Sequence, residues 1–167
     1  MIHVEKKLVV NVSKEKVWEV LKDFGSVEKF AATIEKSPVI SDQKIGLGAR
    51  RKCYFNDGSN LVEEIVDYQD GRGFTMQLSE FSLPLKSMSA QMMVEEIDAH
   101  RSLVVMSSDF VVKGGGIGQI MGNLLMKPMM SGVFKNLIVG LAYYSATSKP
   151  IGKKMPNKKD LSGFVEV

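Results

Sequence analysis

Hydrophobic and polar positions alternate from the start of the chain. Val4, Leu8, Val10 and Val12 set against Glu5, Lys7 and Asn11 give residues 3–12 the period-two pattern of a half-buried strand. The period then changes to that of a helix: Val17, Val20, Leu21 and Phe24 fall on one face. Ser13 stands where its hydroxyl can accept a free first-turn N–H, Glu15 lies near the positive end of the helix dipole, and Gly25 ends the helix. Val27 to Phe30 read as a second short helix. Alternation resumes near 34–42, 48–56, 60–69, 73–81, 87–97 and 103–113, broken by Gly46, Asp57-Gly58, Asp70-Gly71, Leu83-Pro84-Leu85 and Asp98-Ala99-His100. A long apolar helix over about 117–147 follows, with Met130, Phe134, Leu137, Leu141 and Tyr144 on one side. Pro128 lacks an N–H and clashes with the turn before it, so a kink or break is expected there. The sequence order is one strand, two short helices, six strands and a long helix. It defines an α+β domain in which a seven-stranded antiparallel sheet must cover something apolar.

The Asp57-Gly58 turn raises the most specific question. Arg51 lies six residues before Asp57, and Glu63 five after Gly58. A three-residue loop places the two on one face of the hairpin, close enough to pair, whereas a two-residue loop places them on opposite faces. In the second case Arg50, Lys52 and Glu64 are the natural partners of a surface pair, which is worth little. Buried, Arg51 and Glu63 must satisfy one another or a ligand. Both readings stand on sequence alone.

Composition narrows the field. A chain of 167 residues that is 44% hydrophobic and 25% charged is one domain's worth of globular protein. Residues 1–148 carry 17 Lys and Arg against 17 Asp and Glu, so the body shows no electrostatic footprint for nucleic acid. The basic excess lies in 149–167, where five Lys face two acids. Beyond Ser148 the chain loses periodicity and reads as a basic, flexible tail on a 1–147 domain, although Leu161, Phe164 and Val165 are able to dock. Lys127, Lys135 and Lys149 interrupt the apolar C-terminal third, so no stable membrane insertion is expected. The single cysteine, Cys53, sits inside a strand and reads as a buried inert thiol. With no signal-peptide pattern at the charged N-terminal strand, a cytoplasmic location is the default. His3 and His100, at a strand edge and in a turn, belong to no metal cluster or nucleophilic arrangement, and no cofactor is expected. Lys113 to Gly118 with Gly122 fails the dinucleotide fingerprint on spacing.

Nine of 11 methionines lie between residues 76 and 130. Met88 and Met92 alternate with serines and Gln91, Phe74, Met76 and Leu78 repeat the pattern one strand earlier, and Met106 and Phe110 one strand later. Flexible thioether chains suit either a methionine-rich core or a wall that adapts to ligands.

Several of these segments together resemble a known group. Val17-Trp18-Glu19-Val20-Leu21-Lys22-Asp23-Phe24 gives "V-W-x-x-L-x-D-F", with Phe30 six residues later. Gly46 to Arg51 gives "G-x-G-x-x-R", Asp57-Gly58 to Glu63 gives "D-G-x-x-x-x-E", and Leu83-Pro84-Leu85 and the helix ending Gly140-Leu141-Ala142-Tyr143-Tyr144 follow. Over roughly residues 2–147 the chain resembles the START/SRPBCC superfamily, more narrowly its polyketide cyclase/dehydrase and lipid-transport group. The resemblance implies a helix-grip fold, its curved sheet wrapped around the C-terminal helix with an enclosed cavity of a few hundred Å3 between them, typical of ligand sites. Arg51 and Glu63 would point into that cavity and orient a ligand's polar end. Cys53, Phe55, Phe74, Met76, Leu78, Met88, Met92, Met106, Phe110, Met130, Phe134, Leu137 and Leu141 would line it. Leu83, Pro84, Leu85, Gly115 and Gly116 would form a mobile gate. The expected activity is non-catalytic binding or transport of a hydrophobic or amphipathic molecule such as a lipid, quinone or polyketide-like compound. The alternative is a cyclase/dehydratase with Glu63 as base and Arg51 stabilising an enolate.

Overall fold

A computed structural model describes residues 1–166. Seven strands form one antiparallel sheet in the order β1-β7-β6-β5-β4-β3-β2. They are β1 (Ile2–Val10), β2 (Ile34–Lys36), β3 (Arg50–Phe55), β4 (Asn60–Gln69), β5 (Gly73–Ser79), β6 (Leu85–Asp98) and β7 (Arg101–Val112). From β3 to β7 each strand pairs with the next through a short connection; β1 closes the other flank by pairing with β7. Between β1 and β2 lie α1 (Lys14–Lys22) and a 3₁₀ turn (Phe24–Lys29). Ser13 caps α1 as its sequence predicts, its hydroxyl accepting from the Lys16 N–H at 3.5 Å. The strand expected over 34–42 is shortened to β2 plus a single bridge from Val39 to Arg51, because Pro38 offers β3 its carbonyl but no N–H.

After β7 the chain turns through Gly114, at φ +97°, into α2 (Gly115–Met121), a π-helical turn (Gly122–Met126) and α3 (Lys127–Thr147). The helical path does not break at Pro128. The irregularity is one turn upstream, where widened hydrogen bonding accommodates the missing N–H and the bulk of the ring. α3 packs against β1, β7 and α1, burying Phe134, Ile138, Leu141 and Ala142. Gly140 lets the helix come close: a Cβ there would lie 2.1 Å from the Phe30 carbonyl oxygen.

The segment expected to be a flexible tail is laid against the body. Ile151 donates its N–H to the Lys29 carbonyl, Asn11 to that of Phe164, and Glu166 to that of Val9. Tyr143 meets Phe164 edge to face at 5.5 Å, and α4 (Lys158–Leu161) buries Leu161. The Asn11 and Glu166 bonds, with the Val10–Val165 bridge, occupy the edge of β1 that β7 leaves unpaired, an open strand edge being a template for any extended segment.

Candidate functional site

The register arranges the inner face of the sheet in cross-strand rows. One row runs Ile2, Phe110, Met88, Leu78, Glu63, Arg51. The next runs Val4, Ser108, Ala90, Met76, Ile65, and a third runs Lys6, Met106, Met92, Phe74, Tyr68. The inward residues expected on β5, β6 and β7 are thus neighbours on one surface, all buried. Phe134 and Leu141 are buried in the same core, and Phe55, Met130 and Leu137 are half-buried against it.

The first row ends in charge because of the hairpin turn. Phe55 donates its N–H to the Ser59 carbonyl at 2.9 Å, leaving Asn56, Asp57 and Gly58 as a three-residue loop, with Gly58 at φ +86°. Asp57 fixes the turn by accepting from the Ser59 N–H and hydroxyl. The loop length puts Arg51 directly opposite Glu63 on the inner face and Arg50 opposite Glu64 on the outer.

Arg51 Nε donates to Glu63 Oε2 at 2.5 Å, with side chains only 5% and 13% exposed. Nη1 donates to the Phe24 carbonyl at 2.7 Å, the guanidinium stacks 4.1 Å from the centre of the Phe24 ring, and Nη2 faces the Met76 thioether at 3.8 Å. Burial opposes charge on Arg51, but Glu63 and Cys53 outweigh it, so the guanidinium is held charged more firmly than a free one. Cys53 donates its thiol to Glu63 Oε2 at 3.5 Å. Burial first, then the Glu63 charge, pushes that thiol far above its ordinary range, so it is no nucleophile near neutrality.

Two members of this surface escape a reading by residue type. Phe24 supplies both ring and carbonyl to Arg51 from 27 positions away; its only sequence signal is its place at the end of "V-W-x-x-L-x-D-F". Lys6, half-buried in the third row, shares the even numbering of Val4 and Leu8, a parity that the flanking charges mask.

Three expectations need correction. First, neither hollow found among the described residues is an enclosed cavity of a few hundred Å3. Two open clefts are present, one of about 150 Å3 by the start of α2 and one of about 120 Å3 on the outer face around Ser89 and Asp109. The inward side chains instead interlock as a core. Second, Leu85 is not a mobile gate tip but the buried first residue of β6, paired with Val112. Pro84 accepts from the Lys113 N–H, and both Leu83 and Pro84 are exposed. Third, Gly115 and Gly116 are not in a loop but open α2, Gly115 still in the left-handed region at φ +58°. His3 lies on the outer face, 2.9 Å from Asp109, and His100 in the β6–β7 turn, both away from the inner rows.

A sheet that grips a C-terminal helix, its inner face apolar except for a few polar side chains, defines the helix-grip class of α+β proteins. The profile of the family described as polyketide cyclase / dehydrase and lipid transport matches residues 1–145, and the chain belongs to that family. Solved structures share the fold. XoxI from Bacillus cereus superposes with a TM-score of 0.72 at 18% identity, covering 89% of this chain and 98% of its own. The Zhui aromatase/cyclase from Streptomyces sp. R1128 gives 0.65 at 17% identity, covering 83% and 93%. TTHA0849 from Thermus thermophilus gives 0.71 at 14% identity, covering 88% and 99%. Comparison with curated protein sequences finds no match.

Proposed function

We propose that this protein reversibly and non-covalently binds a hydrophobic or amphipathic small molecule bearing a carbonyl, hydroxyl or carboxylate, such as a lipid, quinone or polyketide-like compound, between the inner face of the sheet and the last helix. The observation that carries this reading is the incomplete satisfaction of Arg51. A guanidinium has five N–H donors in a fixed fork. Those of Arg51 are engaged by one carboxylate, one carbonyl and a thioether, the last a weak acceptor. A ligand oxygen would be a better partner for Nη2 than Met76 sulfur, and Glu63 would keep the arginine aimed while the exchange is made. Met76, Met88, Met92 and Met106 supply walls that rearrange at low rotamer cost, so a close-packed interior can repack around a guest.

The second reading, a cyclase/dehydratase with Glu63 as base, is favoured by the place of that carboxylate at the end of the apolar row. It meets an obstacle in the same geometry, since Arg51 and Cys53 already donate to Glu63 Oε2. Glu63→Gln separates the two readings: the enzyme loses turnover and keeps binding, whereas the carrier changes affinity and has no turnover to lose.

Methyl-labelled methionine NMR tests binding directly. Titration with a long-chain fatty acid, a quinone and an aromatic polyketide should move the Met76, Met88, Met92 and Met106 resonances with at least one of them. Shifts confined to the exposed Met121 and Met129, or none at all, would overturn the proposal.

A further inference from the structure

The first half of the last helix has one face with nothing on it. Ile117, Ile120, Met121, Leu124, Leu125 and Met129 are each more than half exposed. They recur at the three- and four-residue spacing of one helical stripe over about 18 Å of helix. The opposite face is fixed to the body. A Cβ at Gly118 would lie 2.0 Å from the Lys113 carbonyl oxygen, and one at Gly122 2.3 Å from the Ile2 side chain, so these glycines seat the helix on the ends of β1 and β7 and turn the stripe outward. A polar line of Gln119, Asn123 and Lys127 runs beside it, Asn123 donating back to the Gln119 carbonyl. Exposed Leu83 stands on the adjoining loop, which is tied to the helix entry by the Lys113–Pro84 bond. Contiguous apolar surface of this kind marks an interaction site.

Charge identifies the occupant. From residue 110 to residue 148, the stretch that holds the stripe, the chain has three lysines and no aspartate or glutamate. Lys113 and Lys127 bracket the stripe, and Lys86 lines the cleft at its foot beside Gly115 and Gln119. A second copy of the chain docked stripe to stripe would bring like charges together; an anionic lipid surface would meet both the apolar stripe and its lysine flanks. By length and composition the Gly115–Thr147 helix is also apolar enough to cross a bilayer. Its second half, however, is held in the core through Phe134, Ile138 and Leu141 and cannot leave without dissolving the fold. We infer that this face lies on, and does not span, an anionic membrane, with Ile120 and Leu124 entering the headgroup–acyl boundary and Lys113 and Lys127 contacting anionic headgroups. The inference is independent of ligand binding, because none of these residues belongs to the interior rows.

Flotation of the full chain with phosphatidylcholine vesicles, with and without phosphatidylglycerol, tests it. Binding to the anionic vesicles should exceed binding to the neutral ones about tenfold or more and weaken with salt. Ile120→Ser/Leu124→Ser, at exposed positions that leave the unfolding midpoint unchanged, should reduce it by at least about tenfold. Lys113→Gln/Lys127→Gln should remove most of the preference for anionic lipid. Failure to float with anionic vesicles overturns the inference, as does floating equally well after the Ile120/Leu124 change. Concentration-dependent dimerisation in lipid-free solution that the serine variant abolishes also overturns it, reassigning the stripe to self-association.

Discussion

Two cross-strand ion pairs lie one residue apart on the same hairpin, built from the same two residue types. Arg50 and Glu64 face solvent at 3.6 Å, 43% and 48% exposed; Arg51 and Glu63 face the core at 2.5 Å, 5% and 13% exposed. The outer pair meets a high dielectric and screening salt, so its net value is about 0–1 kcal/mol. The inner pair gives up its hydration and recovers part of the cost through Phe24, Met76 and Cys53 as well as through Glu63. The difference shows that position relative to the loop, and not residue type, decides whether an arginine–glutamate pair is surface decoration or an interior polar anchor.

The largest effect should follow from changing that position. Deleting Asn56 leaves a two-residue loop and reverses the parity of one strand against the other, so Arg51 and Glu63 no longer share a face. Circular dichroism during thermal melting should then show no cooperative transition. Next in size, Arg51→Ala should cost ~3–5 kcal/mol by denaturant titration, because Glu63 is left as an unpaired interior charge. Arg50→Ala should stay within ~1 kcal/mol of wild type. If the inner pair is an anchor for ligand and not for stability, Arg51→Met/Glu63→Leu should recover most of the loss seen in Arg51→Ala.

The smallest effect concerns pH. The folded protein holds the Cys53 proton more tightly than the unfolded chain does. As pH rises past the ordinary thiol value of about 8.5, the unfolded state releases that proton first and stability falls. Below that value the contribution is fully present. Cys53→Ala should flatten the alkaline slope of the unfolding midpoint, and the native thiol should resist alkylation at neutral pH. An unchanged slope would separate Cys53 from the pair.

Much of this contrast is legible in the sequence, and what is not has physical causes. Alternation placed Met76, Met88, Met92 and Met106 on one face because a strand's period of two puts every second residue on the same side. The Asp57-Gly58 signal located the turn but left its length open, since both two- and three-residue loops accept Gly at positive φ, and facing depended on that choice. Phe24 was hidden because its contact with Arg51 is tertiary. The docking of residues 149–166 uses Leu161 and Phe164, which the sequence offered, together with backbone bonds to Lys29 and the β1 edge, which side-chain polarity does not report. The cavity that the family resemblance implies was not legible as such, because the same alternation buries Met88, Met92 and Met106 whether they line a void or join the core, and here they join the core.

Native mass spectrometry of the protein purified from its host tests most directly the claim that the interior pair serves a bound molecule. The wild-type protein should carry a small molecule that denaturation releases. Its occupancy should fall in Arg51→Met/Glu63→Leu and remain unchanged in Arg50→Met/Glu64→Leu. A wild-type protein emerging at its bare mass, or equal loss of the guest from both double variants, would contradict the account.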